Sequence, residues 1–167
     1  SFYRLVPSLV VRPETEQELV EVIGACREGN WPMTFRAAGT SLSGQAITDG
    51  VLIQLGRGWR DARVLDDGAR IDLQPGVIGA RANELLAPFG RKIGPDPASI
   101  ASCMIGGIAS NNASGMCCGT AQNTYRTLDS LRMVLLDGTV LDTADADSVA
   151  AFRQSHAALL DGLERLS

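Results

Sequence analysis

The sequence contains few of the residues on which several classes of protein depend. It has one lysine, Lys92, and one histidine, His156, among 167 residues. Its fifteen basic residues form no cluster and the net charge is −4, which argues against nucleic acid as a partner. No apolar run is long enough to cross a bilayer, and the N-terminal segment lacks the pattern of a signal peptide. We therefore expect a cytoplasmic protein, either free or peripheral at the inner face of the membrane.

The cysteines lack the spacing of a metal site or of a disulfide framework. Cys26 and Cys103 stand alone, whereas Cys117 and Cys118 are adjacent. Zinc sites and small disulfide-bonded domains need paired or regularly spaced cysteines. We therefore predict no metal site and expect reduced thiols, with the adjacent pair packed in the interior rather than joined in a vicinal disulfide.

The remaining composition is that of one globular domain, because 45% of the residues are hydrophobic and 20% are charged. The chain opens without methionine and ends within a helical pattern. We expect residues 1–167 to be a truncated part of a longer polypeptide. A division into two small α/β lobes is predicted at about residues 1–57 and 58–167.

The first third of the chain predicts alternating strands and helices. A helix follows Pro13, because Thr15 and Glu18 form a T-x-x-E capping box ahead of a periodic apolar face. The short apolar runs at 33–35 and 51–55 predict strands on either side of a polar loop. The expected local order is strand, helix, strand, loop, strand.

The rest of the chain predicts a mixed α+β fold. Two strands are expected near 63–65 and 70–73, followed by a helix over 78–86. Residues 101–119 are so rich in Gly, Ser and Asn that we expect a winding backbone there rather than a packed element.

The C-terminal part predicts a hairpin and one helix. The dipeptide Asp137-Gly138 stands between two apolar runs, which is typical of a two-stranded hairpin. A single last helix is expected from a Ser148 cap to Leu166, with His156 on its apolar face as a core or interface residue rather than a catalytic one.

The segment "RAAGTSLSGQ", residues 36–45, has part of a phosphate-loop pattern. Gly39 and Gly44 have the spacing of the first six positions of G-x-x-x-x-G-K-[ST]. Gln45 and Ala46 replace the lysine and the hydroxyl residue, which excludes nucleoside triphosphate hydrolysis by this motif. A Rossmann loop is also excluded, because G-x-G-x-x-G and its following helix are absent. The segment is either a metal-free diphosphate nest or a polar turn.

A second glycine-rich segment, "IGGIASNNASG" at 105–115, favours the first interpretation. Two long segments of accessible backbone in one domain suggest a shared extended ligand.

The order of several motifs resembles the FAD-binding domain of the vanillyl-alcohol oxidase and p-cresol methylhydroxylase (PCMH-type) family. The similarity extends through nearly the whole chain and rests on "FRAAGTSLSGQ", "PGV", "GPDPAS", "SCMIGGIASNNASG" and "LRMVLLDGTVLDT". Within that family the chain is most similar to FAD-linked D-2-hydroxy-acid dehydrogenases, such as D-lactate dehydrogenases, glycolate oxidase subunits and D-2-hydroxyglutarate dehydrogenases. The implied fold has two small α/β lobes with the cofactor between them.

The resemblance also implies a set of cofactor-binding residues. Those expected around the diphosphate are Ala38, Gly39, Thr40, Ser41, Ser43, Gly44 and Gln45. Those expected along the rest of the cofactor are Gly76, Pro95, Asp96, Ala101, Ser102, Gly106, Gly107, Asn112 and Gly115. Arg36 is expected to be structural. Some members attach FAD covalently through a histidine, and Thr40 occupies that position here, so the expected FAD is non-covalent.

The implied activity is the oxidation of a small D-2-hydroxy acid to the 2-oxo acid by an FAD-dependent oxidoreductase. Related enzymes take their catalytic and substrate-binding residues from a following domain, so we assign no catalytic residue and expect the fragment alone to be inactive. Some similar proteins continue into a C-terminal iron–sulfur region. A non-catalytic flavin or nucleotide module, or a scaffold that binds nothing, are the alternatives.

Overall fold

A computed structural model describes residues 4–166 and confirms the α+β class. Its first element group is a parallel sheet of three short strands, β1 (Leu9–Val11), β2 (Met33–Arg36) and β3 (Val51–Gln54). The strand order is β1-β3-β2, so the last strand in sequence lies in the middle. These strands confirm the two predicted around the polar loop.

The apolar run of β3 forms the centre of the first core. Val51, Leu52 and Ile53 are all buried, as expected of a parallel strand covered on both faces. The core cluster of Cys26, Val51 and Ile53 extends to half-buried apolar residues of β1, β2 and the helix that follows β1. The helix therefore holds one face of the sheet.

That helix, α1 (Glu16–Glu28), begins as the capping box predicts. Thr15 Oγ1 accepts a hydrogen bond from the Glu18 N–H at 3.2 Å. The reciprocal bond differs by one residue, because the Glu18 carboxylate accepts from the Glu14 N–H at 2.7 Å instead of from Thr15. Both contacts satisfy N–H groups that a helix start leaves without partners.

The middle of the chain forms an antiparallel pair and a helix, as predicted. Strands β4 (Ala62–Leu65) and β5 (Arg70–Leu73) pair with each other, and α2 (Gly79–Leu86) follows. A short 3-10 turn then ends at Gly90, whose φ of +66° is typical of a helix terminus.

The prediction of a winding backbone over residues 101–119 is wrong for its central part. Residues Ile105–Ser110 form a helix, α3, and a further turn, α4 (Thr124–Thr127), packs nearby. Ile108 is buried on α3. Tertiary packing of this one apolar side chain and backbone bonds to the preceding segment outweigh the low helix propensity of the neighbouring glycines.

The C-terminal hairpin has the predicted position. Strands β6 (Arg132–Val134) and β7 (Val140–Asp142) are antiparallel. Gly138 has a φ of +87°, and its N–H donates to the Leu135 carbonyl at 2.9 Å. The Asp-Gly dipeptide thus supplies the left-handed residue that a tight turn requires.

The prediction of one continuous last helix is wrong. The segment forms α5 (Ala146–Ser155) and α6 (Ala157–Glu164), which are separated at His156. Asp145 rather than Ser148 caps α5, since its carboxylate accepts from the Asp147 N–H at 2.9 Å. Ser148 Oγ instead accepts from the Asp142 N–H at 3.0 Å.

The chain forms two compact units, one extending to Thr127 and a second beginning at Leu128. The first contains the sheet β1-β3-β2, and the second contains the C-terminal hairpin. The lobe boundary predicted near residue 58 is a different division and stays a prediction. Among residues 4–166, no helix has the length and hydropathy needed to cross a bilayer.

Candidate functional site

The polar loop connects β2 to β3 and bears the first group of predicted ligands. Gly39 and Gly44 have φ values of +69° and +83°, a region that residues with a Cβ rarely adopt. Within the described chain, the backbone N–H groups of Ala38, Thr40 and Ser41 donate to no protein oxygen. Accessible N–H groups beside left-handed glycines form the type of nest that binds anions.

The loop side chains are partly engaged with each other. The Ser41 hydroxyl donates to the Gln45 side-chain oxygen and also accepts a 3.4 Å bond from the Ser43 N–H. Thr40 and Ser43 are exposed. Beside the loop, a pocket of about 370 Å³ is lined by Arg4, Leu5, Ser43, Gly44 and Ile47.

The structure brings the second glycine-rich segment against this loop. A Cβ added at Gly107 of α3 would lie 3.8 Å from the Ala37 Cβ, so the loop and α3 are close together there, with room for no more than a small side chain between them. The preceding residue, Gly106, donates its N–H to the Pro75 carbonyl at 2.9 Å. The two segments that the sequence analysis paired are therefore neighbours in the fold.

Gly76 and Gly115 are positions at which the backbone is too close to a neighbour for a side chain. Gly76 is buried, and its N–H donates to the Trp59 carbonyl at 2.8 Å. A Cβ at Gly76 would approach that carbonyl oxygen to 2.5 Å, and one at Gly115 would overlap the carbonyl of Asp96. These glycines position the segments around α3.

The remaining predicted ligands have mixed surroundings. Pro95 is buried, and Asp96 is half-buried and pairs with Lys92 at 3.7 Å. Asn112 has a φ of +44° and accepts a 3.0 Å bond from the Tyr125 N–H through its side-chain oxygen. That oxygen thus holds α4 to the end of the glycine-rich segment.

Ala101 and Ser102 are not brought to the loop by any contact within the described residues. Both are exposed on a turn, and the Ser102 hydroxyl donates to the Ser99 carbonyl at 3.2 Å. Their expected contact with the cofactor stays a prediction.

Two polar residues of this region are not among the predicted cofactor ligands. Thr124 is buried, and its hydroxyl lies 2.9 Å from the Ala113 carbonyl and 3.2 Å from the Ile108 carbonyl. Arg36 has a buried Nε atom without a hydrogen-bond partner, the one such side-chain atom in the described part of the chain. The position of Arg36 at the strand end before the loop was a visible signal, whereas nothing in the sequence marks Thr124.

His156 lies at the break between α5 and α6 and not inside a single helix. Its side chain is 14% exposed and stacks on Phe152 with ring centroids 4.2 Å apart. Nε2 lies 2.8 Å from an Asp137 carboxylate oxygen, and Nδ1 lies 2.8 Å from the Ser155 hydroxyl. Ser155 also bonds to the Ala151 carbonyl of its own helix at 3.0 Å. This chain of contacts fixes the end of α5 to the hairpin turn.

The carboxyl group of Asp137 is perturbed by these contacts. Its pKa is lowered to about 2, first by the hydrogen bond from the Thr139 N–H and then by the bond to His156. Hydrogen bonds to the ionised form of a carboxyl favour that form.

The cysteines are free thiols in the structure. Cys118 is buried but Cys117 is exposed, so the expectation that both members of the pair are packed is wrong for Cys117.

Comparison with known proteins identifies the domain. A family model described as an FAD binding domain matches residues 7–144, and the chain belongs to that family. The match confirms the PCMH-type resemblance and FAD as the cofactor that the resemblance implies.

Similar curated proteins are larger than this chain. Glycolate oxidase subunit GlcD of Escherichia coli K12 is 32% identical over 95% of this chain and 34% of its own length. D-2-hydroxyglutarate dehydrogenase of Haemophilus influenzae is 28% identical over 89% of this chain and 15% of its own length. The chain therefore spans about a third or less of these relatives.

Solved structures share the fold. 6-Hydroxy-D-nicotine oxidase from Arthrobacter nicotinovorans aligns with a TM-score of 0.72 at 17% identity, over 83% of this chain and 31% of that protein. An alkyldihydroxyacetonephosphate synthase aligns with a TM-score of 0.70 at 19% identity, over 88% of this chain and 28% of that protein. At these identities the likeness establishes the fold.

The described residues fit a bound dinucleotide on their own chemistry. The loop between β2 and β3 presents donors without protein acceptors, and the buried Arg36 Nε requires an acceptor. Gly107 keeps the facing surface of α3 free of a side chain. The loop thus presents a group of hydrogen-bond donors. The positive charge of Arg36 at the start of the loop is not paired with a carboxylate of the described residues.

Proposed function

We propose that this chain is the cofactor-binding part of an FAD-dependent oxidoreductase that oxidises a D-2-hydroxy acid to the corresponding 2-oxo acid. The observation that supports the cofactor-binding role most strongly is the proximity of the loop to α3 at Ala37 and Gly107. The curated relatives named above as a glycolate oxidase subunit and a D-2-hydroxyglutarate dehydrogenase favour this substrate class.

The loop residues hold the diphosphate in this proposal. The unpaired N–H groups of Ala38, Thr40 and Ser41 donate to phosphate oxygens, and α3 closes the opposite side of the cofactor. The predicted ligands from Gly76 to Gly115 position that side. None of these contacts requires a metal ion, because backbone donors and one arginine supply the complementary charge.

Bound FAD would supply the group that accepts a hydride from the substrate carbon bearing the hydroxyl group. The hydroxyl proton must leave to a base, and the substrate carboxylate needs a cation. We place both groups outside residues 1–167, because His156 already bonds Asp137 and Ser155. The chain alone should therefore be inactive toward hydroxy acids.

Thr40 should leave the flavin without a covalent bond. A histidine can form a bond to the flavin ring, whereas a threonine hydroxyl does not supply that nucleophile under ordinary conditions. FAD should therefore be released when the protein is denatured.

The test uses the full-length protein that contains this chain. We expect a flavin absorption spectrum, and after acid precipitation the flavin should be in the supernatant. Without oxygen or an electron acceptor, glycolate, D-lactate or D-2-hydroxyglutarate should reduce the flavin and bleach its absorption, and the L-enantiomers of the two chiral acids serve as controls.

The outcomes separate the parts of the proposal. Flavin that stays with the pellet would contradict non-covalent binding. A yellow protein that no D-2-hydroxy acid reduces would refute the proposed activity and favour a non-catalytic flavin module. A full-length protein that neither contains nor binds flavin would refute the whole proposal.

A further inference from the structure

We propose that Arg36 is a direct ligand of the cofactor diphosphate, with its Nε–H donating to a phosphate oxygen, rather than a residue that serves the loop structurally. The inference rests on the proposed FAD site and adds to it a side chain that the family match does not assign.

The Nε atom of Arg36 is buried and has no hydrogen-bond acceptor in the described part of the chain. Arg36 also forms no ion pair among those residues. Arg36 as a whole is half-buried, but a buried N–H donor without an acceptor is costly, which a ligand oxygen at Nε would relieve.

The side-chain acceptor opposite Arg36 already binds another donor. Arg36 is opposite Gln54 in the sheet register. The Gln54 side-chain oxygen accepts instead from Arg12 Nε at 3.0 Å. The Arg36 backbone is fixed separately, because its carbonyl accepts from the Leu55 N–H at 3.3 Å. The backbone is thus held in place while the side-chain donor stays available.

The Arg36 guanidinium lies inside the loop. A Cβ added at Gly39 would lie 2.5 Å from Arg36 Nε and 2.8 Å from Nη2. The guanidinium therefore lies directly against the left-handed glycine of the nest. Its donors and the loop N–H groups share one location.

Arg36 also provides positive charge beside the loop. Arg36 is the one basic residue between Arg27 and Arg57, a stretch that includes the whole loop. A diphosphate needs more than neutral N–H dipoles to offset its charge at low dielectric. An arginine offers directional donors as well as the charge, which suits phosphate oxygens.

The test compares ligands with and without phosphate groups on the full-length protein after removal of its flavin. Flavin fluorescence measures the Kd of FAD and of riboflavin for the wild type, R36Q and R36K. We expect R36Q to weaken FAD binding about 10- to 100-fold, the loss of one charge-assisted bond, and to leave riboflavin binding unchanged. The R36K variant keeps the positive charge but lacks the buried Nε donor. Its Kd for FAD should therefore lie between those of the wild type and R36Q.

A matched control is R27Q, which removes an exposed arginine at the end of α1. It should bind FAD like the wild type. Raising the salt concentration should weaken FAD binding less in R36Q than in the wild type, because one screened charge pair is absent.

The apoprotein provides an independent readout. Because Arg36 lacks a partner when no cofactor is bound, the R36Q apoprotein should have a Tm equal to or higher than that of the wild-type apoprotein. Adding FAD should raise the Tm of R36Q by less than it raises the Tm of the wild type.

Each other outcome overturns the inference. Equal losses for FAD and riboflavin, or an R36Q apoprotein that is less stable or unfolded, would show that Arg36 acts on the loop structure. An unchanged FAD Kd would show that Arg36 does not bind the diphosphate. Failure of the wild type itself to bind FAD would refute the proposed function instead.

Discussion

Gly39 shows at the scale of one residue how backbone conformation and ligand binding are linked. Its φ is +69°, and its missing Cβ leaves room for the Arg36 guanidinium. We expect Gly39→Ala to cost about 1–2 kcal/mol of stability, since a Cβ disfavours the left-handed region. It should also weaken FAD binding by displacing Arg36. Chemical denaturation and FAD titration of the full-length protein measure the two effects.

Gly24 offers the matched control for that substitution. It lies inside α1, and a Cβ there would have nothing within 4 Å. Gly24→Ala should raise the stability by about 0.5–1 kcal/mol, because alanine is the better helix former, and should not change the FAD Kd. Equal stability changes at the two positions would contradict the role given to Gly39.

Asp137 makes a pH-dependent contribution to stability. Its native pKa of about 2 lies below the ordinary value of 3.8, so the native state binds fewer protons than the unfolded state. The contribution is present above about pH 4 and is lost as the pH falls through about 2. Asp137→Asn should therefore be less stable than the wild type at neutral pH, with the difference in Tm closing over that range.

The control for the pH series is Asp161→Asn, because the Asp161 side chain makes no hydrogen bond within residues 4–166. Its Tm difference from the wild type should not follow this pH dependence. A gap between Asp137→Asn and the wild type that stays constant down to pH 2 would contradict the assignment to Asp137.

At the scale of elements, Thr124 links α4 to the end of α3. Its hydroxyl contacts the carbonyls of Ala113 and Ile108 inside the fold. Thr124→Val keeps the shape and removes the hydroxyl bonds, while each carbonyl keeps a backbone N–H donor, so we expect a loss of about 0.5–1.5 kcal/mol. The segment from Asn112 to Gly115 should loosen, with weaker FAD binding. Denaturation and FAD titration measure both effects.

Thr120 is exposed and provides the comparison, since Thr120→Val removes a hydroxyl that water can replace. Its stability should change by less than about 0.5 kcal/mol. If Thr124→Val were equally neutral, the buried hydroxyl would not be what fixes α4.

The element scale also shows which parts of the fold the sequence could predict. Local signals sufficed for α1 and for the β6–β7 hairpin, because a capping box and an Asp-Gly turn act through neighbouring residues. The helix α3 was missed, because it depends on backbone bonds from Ile105 and Gly106 to the distant segment 75–77. The break at His156 coincides with another long-range contact, the bond to Asp137.

The candidate site follows the same division. The spacing of Gly39 and Gly44 identified the loop, because glycine marks backbone that must be left-handed or closely approached. Which donors stay without a partner depends on packing, and the ligand role proposed for Arg36 therefore rests on its buried Nε and not on the sequence. The proximity of Gly107 to Ala37 supports the pairing of the two segments, which composition alone suggested.

At the scale of the whole molecule, FAD should act as a stabilising ligand of the full-length protein. Binding to the native state alone adds about 2.7 kcal/mol when free FAD is 100 times its Kd. Calorimetry of the apoprotein should therefore show a Tm that rises with FAD concentration. A Tm that is unchanged by excess FAD would contradict a native-state cofactor site.

The strand order β1-β3-β2 has a consequence for how the protein is made. During synthesis β1 and β2 emerge from the ribosome before β3, and neither has its native partner until Val51–Gln54 inserts between them. The loop before β3 is held at its far end by that insertion. We therefore expect cofactor capture to follow the emergence of β3, and the edges of β1 and β2 to stay unpaired until then.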